Sequence, residues 1–391
     1  MARLFPARII LSLLLISPLV GCKLVGSRTG PPPDLFYAPV SYPVGTNPAW
    51  IASADLNTDG FVDLITCNMG SNNLSVLLGN GNGTFHEPMT TAVGPQPRLL
   101  SVAELTGDQR PDVAVIHSIS ALLMILSGKG DGTFQEIQRV NLGKTPTSVV
   151  TADFNSDKHL DIAVSLVLDR ILIFSGNGRG FFTLTNDFDP GDTPTWITTA
   201  DLNKDGKPDL IVANNGEIGH NIALFYGKGD GTFAPAATYR TPLAPLIVGA
   251  GDFTSDQILD IVVIYGERNT LALLPGQKDG TFKEPIPFGA EGGPAHLVMG
   301  DYNHDGRLDL AVPNNLSNNL SILLGNGDGT FIQPPIDYRT GNVPFSVASG
   351  EFEKGHPPGL AVANNGSSTV SVFRAKQPKT AAPTAGSNPE K

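Results

Sequence analysis

Seven times along the chain a short acidic segment returns, at intervals of 48 to 51 residues. Its first copy reads Asp55-Leu-Asn57-Thr-Asp59-Gly60-Phe61-Val-Asp63, and the others begin at Glu104, Asp153, Asp201, Asp252, Asp301 and Glu351. Oxygen-bearing side chains stand at positions 1, 3 and 5, a glycine for a sharp turn at 6, a backbone carbonyl at 7 and a carboxylate at 9. That alternation makes a cage for a hard cation. Ca²⁺ accepts six to eight oxygens flexibly, whereas Mg²⁺ demands a tighter octahedron, so calcium is the expected ion. Histidine and cysteine do not recur at these positions, which disfavours zinc. Asp and Asn also favour turns for their own sake. Turn formation leaves unexplained why three carboxylates that repel one another fall within nine residues.

The candidate ligands are Asp55, Asn57, Asp59, Phe61 and Asp63 in the first loop and Asp153, Asn155, Asp157, His159 and Asp161 in the third. They continue with Asp201, Asn203, Asp205, Lys207 and Asp209, then Asp252, Thr254, Asp256, Ile258 and Asp260, then Asp301, Asn303, Asp305, Arg307 and Asp309. Phe61, His159, Lys207, Ile258 and Arg307 enter through their carbonyls. The copies at Asp55, Asp201 and Asp301 are complete, while Lys158 and Gln257 replace the glycine in two others, which strains the turn. The Glu104 copy changes its first ligand and has Gln109 at position 6. The Glu351 copy has lost its fifth- and ninth-position acids and is expected to be metal-free. Three to five structural calcium sites follow.

Other chemistry finds less support. Paired acids can serve glycoside cleavage, yet here they recur in every unit and an active site needs one pair. The seven histidines keep no fixed place in the repeat, with His159 and His304 expected to be solvated. No Gly-x-Ser-x-Gly elbow is present. Glycine-rich stretches such as Gly79 to Gly83 lack the Gly-Lys-Ser/Thr ending of a phosphate cradle and read as hairpin turns. Eighteen of the 37 acidic residues lie in the first six loops, so the net charge of −11 is concentrated at points. No basic stripe interleaved with aromatics appears, and a nucleic-acid partner is not expected. A propeller-type polysaccharide lyase or glycosidase stays open as the alternative, marked by a His, Tyr, Arg and carboxylate cluster at the channel mouth.

The elements that must position these loops are short. Each unit carries four apolar runs of four to nine residues between turn signals, in the first Trp50 to Ala54, Asp63 to Cys67, Leu74 to Leu78 and Phe85 to Val93. With no helical period, these read as strands A to D of an all-β repeat, and four-stranded units at this period suggest propeller blades. Seven residues before each acid stands a proline, from Pro48 to Pro344, which suits the residue just before an innermost strand. The residue before the acid is always Ala or Gly, as expected if seven backbones converge on an axis. The seventh unit stops at Phe373 without a D strand. Phe36, Pro39, Val44 and Gly45 repeat the spacing of Phe85, Pro88, Val93 and Gly94, so an N-terminal strand should complete the last blade and remove its exposed edge.

The pattern Asp-x-Asn-x-Asp-Gly-x-x-Asp, followed by Leu-Ser-Val-Leu-Leu-Gly-Asn-Gly-x-Gly-Thr-Phe, resembles the FG-GAP or VCBS repeats of integrin α-chain propellers and bacterial exported proteins. The resemblance covers residues 35–374. It implies a seven-bladed β-propeller with calcium between strands A and B.

Arg3 and Arg8, the apolar run from Ile9 to Ile16 and a small-residue site make residues 1–21 a secretory signal. Leu-Val-Gly-Cys resembles a bacterial lipobox, which would make Cys22 the lipidated first residue of a mature envelope protein, with Lys23 allowing transfer to the outer membrane. Residues 22–34 read as a tether and 375–391 as a disordered tail. Cys67 reads as a small core residue. The loops occupy one face of such a propeller, and the other face varies. There Trp50, Arg98, Trp196, His296 and Phe345 are the candidate contacts for a protein or glycan ligand, in a monomeric binding or scaffolding module.

Overall fold

The computed structural model describes residues 31–377 apart from 217–218, 235–236 and 267–268. The signal segment, Cys22 and residues 378–391 of the tail lie outside the described residues. Among those described, the strands form seven four-stranded antiparallel sheets, in chain order within all but the last blade. The first blade consists of Pro48–Ala54, Asp63–Asn68, Asn73–Leu77 and Met89–Ala92. Every second strand, Asp63–Asn68 among them, is buried at all six positions. Adjacent blades cover it on both faces, which is why it reads as a continuous apolar run and not as an alternation.

The ring closes as the repeat phase requires. Val40–Pro43 pairs antiparallel with Thr369–Phe373, with Val40 opposite Val372 and Pro43 opposite Thr369. Phe36 bridges Ala375 just as Phe85 bridges Gly79 inside the first blade, so Phe36 is the Gly-Thr-Phe phenylalanine of a turn whose first half sits at the other end of the chain. It is buried against Tyr302 and Tyr338 of the sixth blade, at ring-centroid distances of 6.1 and 5.5 Å.

Two details differ from expectation. The proline does not precede the innermost strand but opens it in six blades: Pro48 pairs with Asn68, and the register slips before Trp50 pairs with Cys67. The first residue of a strand needs no N–H for the ladder, so proline is tolerated inside it. The small residue before the acid answers to side chains more than to converging backbones. A Cβ at Gly350 would meet Phe352 Cε1 at 2.9 Å and Val62 Cγ1 of the next blade at 3.0 Å.

Blades are stapled at the loop face. At four junctions the C-to-D turn of one blade donates a backbone N–H to the second carbonyl of the preceding blade's acidic loop: Gly180 N to Leu105 O (2.9 Å), Gly231 N to Phe154 O (2.9 Å), Gly329 N to Phe253 O (3.0 Å) and Gly83 N to Phe352 O (2.8 Å). Hence the A-to-B and C-to-D turns share one face, and each acidic loop is wedged between blades.

Candidate functional site

In the first loop Asp55 accepts the N–H groups of Asp59 (3.1 Å) and Gly60 (2.9 Å), Asn57 accepts Asp59 N–H (3.1 Å), and Asp59 accepts Phe61 N–H (2.8 Å). The third, fourth, fifth and sixth loops repeat the Asp55-type contacts of position 1. Left-handed backbone is needed at positions 4 and 6: Thr58 has φ 61° and Gly60 φ 84°. Lys158 and Gln257 adopt φ 72° and 66° at position 6, so the two glycine-less loops take the same shape under strain.

The ninth-position carboxylate has a structural role that its place in the motif does not reveal. Asp63 is fully buried and accepts Leu56 N–H (2.8 Å) with one oxygen and Gly79 N–H (2.7 Å) with the other, tying the acidic loop to the end of the third strand. Asp112, Asp161, Asp209, Asp260 and Asp309 do the same. Each oxygen retains a second lone pair for another partner. Burial pushes the Asp63 carboxyl up to about 6 and the Asp309 carboxyl to about 7, and the charges of the first- and fifth-position acids add to the rise. Among the described residues no three Asp, Glu, His or Cys side chains are gathered as a formed metal cluster. The donor set is nevertheless all oxygen, and it gathers three carboxylates in one loop, which fits a hard divalent ion.

In the two remaining loops an arginine stands against an acid, as Lys207 does at 4.0 Å from Asp205 and Arg307 at 3.8 Å from Asp305 in two of the complete loops. Arg110 forms an ion pair with Asp108 and holds its carboxyl below the usual range. In the seventh, Glu351 accepts Gly355 N–H (2.6 Å), and Arg374 lies 3.9 Å from Glu353. Exposed positions include His159 and His304, as expected, and Cys67 is buried with its thiol pushed well up.

At the opposite end of the channel four of the five candidate ligand contacts meet. Trp50, Arg98, Trp196 and Phe345 line one cavity of about 190 Å³ together with Leu99, Ile247 and the first-strand residues Ala49, Thr147, Thr195, Leu246 and Ala295. The residue directly after the proline in every blade therefore faces the mouth, a column legible in the chain but not singled out. The next column divides: Trp50, Leu99, Trp196 and Ile247 also reach the mouth cavity, whereas Ser148 and Ser346 are fully buried and His296 is 7 % exposed beneath the tryptophans.

Trp50 and Trp196 come from the first and fourth blades, on opposite sides of the ring, and their ring centroids are 5.3 Å apart. His296 of the sixth blade packs edge-on to Trp50 at 4.4 Å. These three side chains form an aromatic partition across the channel: the tryptophans line the mouth cavity, and all three line a second cavity of about 460 Å³ on its inner side. Both tryptophans are half-buried and pack on the cores of several blades, so wall and packing roles coincide. His296 Nδ1 accepts Val347 N–H (3.3 Å), and burial lowers its pKa to about 3, keeping the imidazole neutral. The mouth lining contains no carboxylate or tyrosine.

No curated protein matches this chain. Among solved structures, the chain is similar to BBS1N in its complex with ARL6DN soaked with mercury, at TM-score 0.64 and 11% identity, covering 88% of this chain and 98% of that one. The lead-soaked crystal gives 0.62 and 12%, over 88% of this chain and 98% of that one. A Lactobacillus plantarum protein gives 0.56 and 14% over 77% of this chain and 87% of that one. At these identities the likeness concerns the fold alone. The FG-GAP-like repeat model matches residues 55–115, 104–164, 169–212, 201–263 and 252–312, more than half of the chain, at segments that each begin at or run into an acidic loop. On those matches and the seven four-stranded blades, the chain belongs to the FG-GAP-like repeat family.

Proposed function

We propose that this protein is a calcium-stabilised binding or scaffolding module, held at the bacterial envelope by a lipid on Cys22 and presenting its channel mouth to a protein or glycan. The observation that carries the binding reading is the convergence of Trp50, Arg98, Trp196 and Phe345 on one cavity at the face away from the acidic loops. Aromatic and arginine side chains grouped around a pocket are the usual anchors of recognition. Calcium is assigned to the structural side of the molecule: it would relieve the repulsion within the loops and stiffen the junctions between blades. Among the described residues no helix is long and apolar enough to cross a membrane, and the lipid is the proposed attachment.

The binding reading is tested by displaying wild-type and Phe345→Ala proteins on beads against envelope extracts and a glycan array. Phe345 is 38 % exposed, so its removal leaves the core intact. A partner or glycan retained by wild type and lost by the variant supports the reading; identical bound sets refute it. Incorporation of an alkyne-tagged fatty acid into wild type and not into Cys22→Ser tests the anchor, and labelling of both or neither refutes it.

A further inference from the structure

The side-chain groups with no hydrogen-bond partner at the channel mouth are all donors. Arg98 has no ion pair or hydrogen bond among the described residues, and neither do the indole N–H groups of Trp50 and Trp196, which are not sealed from solvent either. The hydroxyls of Thr147 and Thr195 are already engaged with Ser165 and with the carbonyls of Ala213, Pro245 and Leu246. The remaining walls are apolar. In a chain of net charge −11, the mouth lining carries one cation and no anion.

We infer that the channel mouth binds a carboxylate borne on a compact apolar body, with the Arg98 guanidinium taking the carboxylate and the two indoles flanking the apolar part. This rests on the binding reading above and narrows it. A guanidinium fork matches a carboxylate with two parallel hydrogen bonds. The cavity of about 190 Å³ sets the size; an apolar cavity of about 150 Å³ takes a benzene ring. A neutral sugar fits less well, because hydroxyls taken into the apolar part would lose water without a partner. Such a carboxylate could be a free aromatic acid or the C-terminal residue of a polypeptide, which share this chemistry.

The protein carries its own reporter, since its two tryptophans both line the site. Tryptophan emission of the intact mature chain is titrated with phenylacetate, with N-acetylphenylalanine and its amide, with a short peptide ending in phenylalanine, and with a neutral oligosaccharide. The expected result is a saturable change with the acids, roughly tenfold or more weaker with the amide. Arg98→Gln should abolish that preference and Arg98→Lys keep part of it, with unchanged melting of both variants. A response to phenylacetate alone assigns a free acid; tighter binding of the peptide assigns a polypeptide terminus. Equal binding of acid and amide, an unaffected Arg98→Gln, a response only to the oligosaccharide, or no response at all overturns the inference. Loss of a retained partner in Phe345→Ala would still uphold the broader binding reading.

Discussion

Replacing Phe36 by alanine probes the closure of the ring at its most concentrated point. The side chain is 2 % exposed, packs tilted against Tyr302 and edge-on to Tyr338, and shares a core with Ile336, Phe373 and Ala375. Removing a buried phenylalanine costs about 3–5 kcal/mol through lost burial and the cavity left behind. With an unfolding entropy of about 2.1 cal/mol/K per residue over about 340 ordered residues, this lowers Tm by about 4–7 °C. The loss should reach beyond one side chain, because Phe36 anchors a segment otherwise held against the C-terminal blade by four strand pairs and three flanking backbone bonds, Tyr37 N–H to Arg374 O (2.9 Å), Val44 N–H to Ser368 O (3.1 Å) and Lys376 N–H to Leu35 O (2.8 Å). Phe85→Ala, where the same contact is made within a covalent hairpin, is the control. Calorimetry and dynamic light scattering should show both variants destabilised and Phe36→Ala alone associating through its freed sheet edge. Deleting residues 35–45 should abolish soluble, cooperatively melting protein. A Phe36→Ala protein that melts within about 1 °C of wild type, which is under about 1 kcal/mol at this size, refutes the closure reasoning.

Calcium at 10 mM, for sites with Kd of about 10⁻⁴–10⁻³ M, should stabilise the fold by about 1.4–2.7 kcal/mol per site relative to EDTA; an unchanged melt in both refutes structural calcium. Gln257→Gly relieves a left-handed backbone and should add about 0.5–1 kcal/mol, read from urea melts, whereas a loss would show that the side chain and not the turn governs that loop. His296 is held neutral with a folded pKa near 3, below the unfolded value of 6.5, so the unfolded chain binds the extra proton as pH falls. Its contribution is complete above pH 6.5 and declines below it, by about 2 kcal/mol at pH 5. Asp63 and Asp309 act with the opposite sign, their raised pKa favouring the metal-free fold at lower pH. The diagnostic quantity is therefore the difference in stability-versus-pH slope between wild type and His296→Gln in EDTA, and equal slopes refute the assignment.

Repetition made most of the architecture legible. Seven copies of Pro, small residue and acid at fixed spacing gave the blade count, the strand order and the phase of the closing strand, because each blade must bury the same faces against its neighbours. The proline-plus-one column was equally readable, yet only Arg98 and Phe345 stood out from it by residue type. The role of the ninth acid was not legible: a motif says that Asp63 is acidic, and only the fold brings Gly79 N–H within 2.7 Å of it. The arginine pairings of Asp108 and Glu353 divide between the two cases. Arg110 lies inside its own loop and was readable, whereas Arg374 reaches its loop from the end of the chain.

What the sequence determined by itself is local and periodic: acidic turns, short strands, and a break in phase that demands an N-terminal strand in the last blade. What only the tertiary structure decided is which residues meet across the axis. Trp50 and Trp196 stand 146 positions apart, in blades on opposite sides of the ring; the repeat gives them and His296 the same place two residues after the proline, but does not say which of the seven side chains at that place meet. They meet because seven blades close to a radius at which side chains from facing innermost strands span the channel, leaving Arg98 unpaired above an aromatic floor.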